Sequence, residues 1–262
     1  MQINPEVNLP NLGGKAYQLN LLKDICTVPE FFTVCVESIN EIDNIDNQEL
    51  ILKYFLNKGF DKVSVRSSAT VEDSTENSFA GMFDTILNVD KNNLICSIKE
   101  VLISAKSDRV KEYCIINDIE FDDIKMNVII QKMVNSRVSG VCFSKTKESE
   151  TLMLMEACLG LGEGLVSGTV TPDTYFVKRN DGEIEKQIIG YQKTMLKNLK
   201  YEEVPFHKRN AKKLTNDEIK ELAKIILKIE KDLNYKAVDI EWAFENDKLY
   251  ILQARPFTGI NN

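Results

Sequence analysis

A chain of 262 residues, 43% hydrophobic and 28% charged, has the size and composition of a globular protein with one large two-lobed domain or two small ones. Its net charge of −7 argues against a nucleic-acid partner, because gripping a phosphate backbone needs a concentrated basic surface. No apolar run reaches the roughly 18 residues of a membrane span, the first six residues lack the basic and apolar regions of a signal peptide, and six scattered cysteines with a single histidine disfavour zinc and fit reduced thiols in a cytoplasm.

A helix is predicted after Gly13-Gly14-Lys15, with Ala16, Leu19 and Leu22 on its apolar side. Residues 37–50 are polar and loop-like, and a brief helix follows over roughly 48–58. The run 63–66 reads as a strand entering a polar loop over 67–74, and 85–89 as a second strand. From 92 to about 116, Leu94, Ile95, Ile98, Val101, Leu102 and Ala105 recur at helical spacing. β-rich runs follow at 126–134, 140–144, 151–157, 174–178 and 185–191. Lys208-Arg209 and Lys212-Lys213 read as solvated surface, as does His207 in Pro-Phe-His-Lys-Arg. Thr215-Asn-Asp-Glu218 is a capping-box pattern. It opens a helix that turns Ile219, Leu222, Ile225, Ile226 and Ile229 inward and ends near Asn234. The order is α+β, with a helix-rich front half, a sheet-rich back half and a lobe boundary near 120–135.

The closing stretch, 239–256, reads as a hairpin with its chemistry on one face. A three-residue loop at Asn246-Asp247-Lys248 places Trp242 opposite Leu252, Phe244 opposite Tyr250, Glu241 opposite Gln253 and Asp239 opposite Arg255. One face is then mostly apolar, and the other gathers two carboxylates, an amide oxygen and a guanidinium. A two-residue loop would mix the faces, so an odd loop or an equivalent bulge is expected. Carboxylate and amide oxygens suit Mg²⁺, which shares its shell with substrate phosphates, and a neighbouring Arg suits the phosphate itself. A surface hairpin with ordinary ion pairs would use the same residues.

Other segments carry weaker chemistry. Gly13-Gly14-Lys15 suits an anion at a loop-to-helix junction or a turn followed by a surface lysine, and it lacks Walker A spacing. Arg66, at a strand end beside Ser67 and Ser68, would grip a phosphate oxygen or pair with Glu72 or Asp73. The turn Ser78-Phe-Ala-Gly81 would fold over a ligand or start a hairpin. The glycine-rich run from Glu156 to Gly164, followed by Val170-Thr-Pro-Asp173, would let backbone approach a ligand or form a plain loop. Cys158 has no base in its sequence neighbourhood and is assigned no nucleophilic part.

Nine segments in order carry a resemblance: Gly13-Gly-Lys15, Val65-Arg-Ser-Ser-Ala-Thr-Val-Glu-Asp73, Ser78-Phe-Ala-Gly81, Gln131-Lys-Met133, Ser139-Gly-Val141, Gly160-Leu-Gly-Glu163, Thr171-Pro-Asp173, Asp239-Ile-Glu-Trp242 and Gln253-Ala-Arg-Pro256. Together they resemble the N-terminal ATP-binding domain of phosphoenolpyruvate synthase, pyruvate phosphate dikinase and rifampicin phosphotransferase. The resemblance implies a single ATP-grasp domain over 1–262, with lobe 1 about 1–130 and lobe 2 about 131–262. ATP would lie between the lobes, the second of them built on an antiparallel sheet. It implies that Lys15 and Arg66 contact phosphates beneath the turn at Gly81, and that Gln131 and Met133 line the adenine pocket. It further implies Glu156 near the nucleoside, Asp239 beside the phosphate site, Glu241 and Gln253 as Mg²⁺ ligands and Arg255 on the terminal phosphate.

The implied reaction passes phosphate from ATP to a histidine carrier, giving AMP, with a small-molecule acceptor beyond. Two departures from the family stand out. The stretch 36–63 is shorter than usual, and neither a phosphohistidine domain nor a phosphoenolpyruvate/pyruvate barrel is recognised. The carrier is therefore expected on another chain or a missing domain. The rival readings are a standalone ATP-grasp kinase or ligase giving ADP, and a nucleotide-binding regulatory subunit.

Overall fold

Capping side chains and buried apolar runs set most element boundaries in the computed structural model, which describes residues 1–4, 8, 12–70, 82–117, 119–121 and 124–257. Contacts divide the chain into two units: residues 1–20 with 29–133, and 21–28 with 134–262. Among the described residues no helix is long and apolar enough to cross a membrane.

The first unit contains, in chain order, β1 (Gln2–Ile3), α1 (Gly14–Leu22, whose last turn belongs to the other unit), β2 (Phe31–Cys35), α2 (Ile45–Asn57), β3 (Val63–Ala69), β4 (Thr85–Val89), α3 (Leu94–Ser104), α4 (Asp108–Ile116) and β5 (Met126–Lys132). The strands form an antiparallel sheet in the order β1-β2-β5-β3-β4. Phe32, Val34, Val63, Val65, Val128 and Ile130 face a core completed by Ile51, Phe55, Leu94, Ile98 and Val101. Strand alternation puts Thr33, Ser64, Arg66, Ser68, Asn127 and Gln131 on the opposite face, and all six are also buried.

Three expectations are corrected in this unit. Polar residues 37–50 are caps rather than loop. Ser38 and Glu41 close a capping box on a 3₁₀ turn at Ile39–Asp43, and the Asn44 side chain accepts from Asn47 N, starting α2 at Ile45. Ser67, Ser68 and Ala69 continue β3, because β5 pairs along its whole length. The long helix over 92–116 is two helices, divided where Ser107 turns extended (φ −67°, ψ 152°) to open α4. The front half is helix-rich as expected, but it also contains β2, which no alternation announces because its apolar run is buried on both faces.

The second unit contains β6 (Val138–Phe143), β7 (Leu152–Leu159), α5 (Glu163–Val166), β8 (Asp173–Lys178), β9 (Ile184–Ile188), β10 (Thr194–Lys197), β11 (Lys200–Glu203), α6 (Asn216–Asp232), β12 (Val238–Glu245) and β13 (Lys248–Pro256). Its main sheet runs β13-β12-β6-β7-β8-β9, antiparallel throughout, and β10 pairs with β11 separately. The Thr215–Glu218 capping box forms as expected. Helix α6 buries Ile219, Leu222, Ala223, Ile226 and Ile229, leaves Ile225 half-buried, and packs on β12.

The β12–β13 ladder corrects the loop and keeps the polar face. Glu245 pairs with Lys248 across a two-residue turn in which Asn246 takes φ 53°. Trp242 therefore faces Ile251 and Phe244 faces Leu249, not Leu252 and Tyr250. A register shift between Glu241 and Trp242 leaves Leu252 as the extra residue, and Glu241 again faces Gln253 and Asp239 faces Arg255. Lys213 is likewise not solvated surface. It is fully buried in an ion pair with Asp173, Nζ to Oδ1 at 2.7 Å.

Candidate active site

The second unit's sheet has one closed and one half-open face. Ile240, Trp242, Cys142, Met155, Ala157 and Tyr175 lie on the closed side, each at 0% exposure. On the other side, strand registers align Gln253, Glu241, Val141, Glu156 and Thr174 in a row across the strands. The next row is Arg255, Asp239, Phe143, Leu154 and Phe176. Val141, Phe143, Leu154, Glu156, Phe176, Glu241 and Arg255 are all half-buried. Acidic and amide groups thus border an apolar stripe, an arrangement suited to a flat apolar body carrying polyanionic substituents.

The polar end of this face is held in place. Arg255 Nε and Nη2 both donate to Asp239 Oδ2, at 2.8 and 2.6 Å, and Asp239 is nearly buried while Arg255 stays a third exposed. Glu241 and Gln253 stand side by side as cross-strand neighbours. As hard oxygen donors they fit Mg²⁺, which takes its remaining ligands from water and phosphate. Among the described residues no group of three or more His, Cys, Asp or Glu is placed to hold a metal, so any ion here would depend on such shared ligands. Burial raises the Glu156 carboxyl above its ordinary value.

In the first unit, Gly13 (φ 76°) brings the start of α1 against β3. A Cβ on Gly13 would stand 2.3 Å from the Ser68 carbonyl oxygen. Ser68 Oγ donates to Leu12 O at 2.8 Å and accepts from Ala16 N at 3.0 Å. Lys15 Nζ is thereby set beside Ser67, donating to its Oγ at 3.3 Å. Two residues before Ser68, Arg66 is buried and its Nη1 donates to Gln131 Oε1 on β5 at 2.9 Å. Met133, just past β5, is half-buried and its N–H donates to Lys62 O at 3.0 Å. The structure therefore gathers Lys15, Arg66 and Gln131 around β3 and β5, and Glu156, Asp239, Glu241, Gln253 and Arg255 on one face of the other sheet. Gly81 with its Ser78 turn, and Glu72 and Asp73, lie outside the described residues.

The glycine loop after β7 is buttressed rather than plain. Gly160 takes φ 85° with a Cβ position only 2.5 Å from Leu196 O, and its own carbonyl accepts from Ser136 Oγ at 2.9 Å and Ser139 Oγ at 2.6 Å. Gln192 clasps Leu159 through both backbone groups. Sequence reading missed the hub behind this loop. Asp173 accepts from Tyr175 Oη, Gly190 N, Lys213 N and Lys213 Nζ, and the only signal was the Thr-Pro-Asp run, since its lysine lies forty residues on. His207 is exposed, and burial pushes the Cys158 thiol up to about 11, away from nucleophilic use.

Residues 44–262 match the family described as pyruvate phosphate dikinase, AMP/ATP-binding domain. A probable phosphoenolpyruvate synthase of Methanocaldococcus jannaschii is 42% identical over 76% of this chain and 17% of its own length. One of Archaeoglobus fulgidus is 42% identical over 76% and 27%. The Escherichia coli phosphoenolpyruvate synthase is 36% identical over 74% and 27%. The chain thus spans between about a sixth and a quarter of the length of these curated relatives. Among solved structures, PH1788 of Pyrococcus horikoshii aligns over 92% of this chain and 88% of its own at 15% identity, with a TM-score of 0.48. A Bacillus anthracis D-alanine–D-alanine ligase aligns over 93% and 55% at 11% identity, with a TM-score of 0.42.

Proposed function

Because the chain belongs to the pyruvate phosphate dikinase AMP/ATP-binding domain family, we propose that it is an ATP-grasp domain that binds ATP with Mg²⁺ and carries out the ATP-consuming half of a dikinase-type transfer. The observation that carries this reading is the anchored set Asp239–Arg255 beside Glu241–Gln253 on a half-open sheet face. Glu241 and Gln253 hold the metal, which would neutralise phosphate charge when bound. Asp239 fixes the guanidinium of Arg255, so that it meets the terminal phosphate already oriented. Lys15 and Arg66 bind further phosphate oxygens, the backbone at Gln131–Met133 lines the base, and Glu156 lies by the nucleoside.

The transfer is positioning and charge neutralisation. A histidine nitrogen bonds to the β-phosphorus, the bond from that phosphorus to the bridging oxygen of the α-phosphate breaks, and its electron pair leaves on AMP. The histidine belongs to a domain or partner outside this chain and then carries the β- and γ-phosphates together. The terminal phosphate is released to water or inorganic phosphate, and a small-molecule acceptor takes the remaining one later. A cytoplasmic setting fits the six unbridged cysteines. Product analysis tests the reading. AMP should accumulate only when a phosphohistidine-domain protein is added, and Arg255→Ala should cut its formation by at least about 100-fold while adenosine affinity holds. Sustained ADP formation without a partner would overturn the dikinase reading in favour of direct transfer to a small molecule.

A further inference from the structure

We propose that the tip of the β10–β11 hairpin recognises the histidine-bearing protein that takes the phosphate. Leu199 enters an apolar recess on that partner, and Lys197 and Lys200 meet carboxylates around its rim. This rests on the dikinase reading above and adds the surface that selects the carrier.

Three local rules are broken together at this tip. Lys197 pairs with Lys200 across the two-residue turn Asn198-Leu199, and both turn residues take positive φ, 49° and 59°. Such a turn favours glycine in second place, because the Cβ of an L-residue crowds the next carbonyl there. Leucine has no polar side chain to offset that strain, and here it is 46% exposed instead of packed. The flanking lysines set like charges directly opposite each other. Both are exposed, and neither pairs with a carboxylate among the described residues. A strained, self-repelling, apolar tip weakens the free hairpin, and such a local outlier points to function.

Charge and shape identify the occupant. Residues 193–212 carry Lys193, Lys197, Lys200, Lys208, Arg209 and Lys212 against Glu202 and Glu203, in a chain of net charge −7. One aliphatic side chain between two cations fits an apolar recess edged by Asp and Glu on a folded protein. A nucleic-acid backbone would engage the lysines and leave Leu199 in water. The hairpin stands outside the six-stranded sheet, but its base is firmly seated. Leu196 is buried, its carbonyl accepts from Leu161 N at 2.8 Å, and Gly160 lies directly against that carbonyl. Tyr201 Oη and Thr169 Oγ1 share a hydrogen bond of 2.8 Å. The seat is the glycine-rich loop leaving β7, so a partner gripped by the tip is tethered to the strand that carries Glu156.

Initial rates of AMP formation, titrated with the phosphohistidine-domain protein at saturating ATP and Mg²⁺, test this on wild type, Leu199→Gly, Lys197→Glu and Lys200→Glu. Glycine suits the turn better than leucine, so Leu199→Gly should melt no lower than wild type and bind ATP within about 2-fold. It should nevertheless raise KM for the partner by about 10-fold or more while kcat stays within about 2-fold. Each charge reversal sets Glu opposite Lys and firms the ladder, but should raise the same KM by about 5-fold or more and flatten its rise with salt. A merely structural hairpin predicts no such loss, since all three changes relieve it. A partner KM unchanged in Leu199→Gly, or losses that track ATP affinity, would overturn the docking surface while the dikinase reading stood. A wild type that forms no AMP with the partner, or forms ADP without one, would sink the parent reading and the docking surface with it.

Discussion

Glu156 sits in a strand environment that leaves almost no slack. On the neighbouring strand, Gly140, which pairs with Ala157, has room for no side chain, since a Cβ there would stand 1.8 Å from the Glu156 carbonyl oxygen and 2.7 Å from the Trp242 ring. The carboxyl therefore stays where the sheet puts it, half-buried beside Val141, and burial favours its protonated form. A carboxyl with a raised folded-state value binds its proton more tightly folded than unfolded. Its favourable contribution is full below about 4.5 and is lost as pH rises through the raised value. Glu156→Gln should remove that dependence, so urea midpoints of the variant should gain on wild type as pH climbs from 4 towards neutrality. Parallel curves for the two proteins would contradict the burial argument. Neither partner of Gly140 was evident beforehand, because Glu156 and Trp242 are brought to it from two different strands.

At the scale of the element, the closing hairpin shows what periodicity can and cannot specify. Alternation placed Asp239 and Glu241 on one face and required Gln253 and Arg255 to join them, which the ladder bears out. The device that reconciles the faces was undetermined, because a longer loop and a bulge satisfy the same alternation. Asn246 in the left-handed region made the two-residue turn available, and Leu252 absorbs the extra residue. Deleting Leu252 leaves a regular ladder with Glu241 still opposite Gln253, so the fold and Mg²⁺-dependent ATP binding should survive. Deleting Ala254 instead brings Arg255 opposite Ile240, on the closed face. That variant should lose phosphate transfer and melt lower, by circular dichroism, than the Leu252 deletion. The helix α6, by contrast, was fully legible, since Thr215, Glu218 and the inward aliphatic stripe lie within a few turns of one another.

Across the whole molecule, ligand linkage offers the broadest check. ATP with Mg²⁺ at about 100 times Kd should add about 2.7 kcal/mol to the folded state and raise Tm by roughly 5–10 °C. Glu241→Ala should keep the unliganded Tm within a few degrees and lose most of that rise, as differential scanning fluorimetry would show. What the sequence by itself determined was whatever a few neighbouring residues encode: caps, strand alternation, the polar face of the last hairpin and the ordered motifs that mark the family. Only the tertiary structure decided that Gln131 meets Arg66, that Lys213 is buried on Asp173, and that Glu156 and Glu241 share one row of a sheet. Those partners lie 40 to 85 residues apart in sequence, and strand register, which no local pattern contains, is what brings their side chains together.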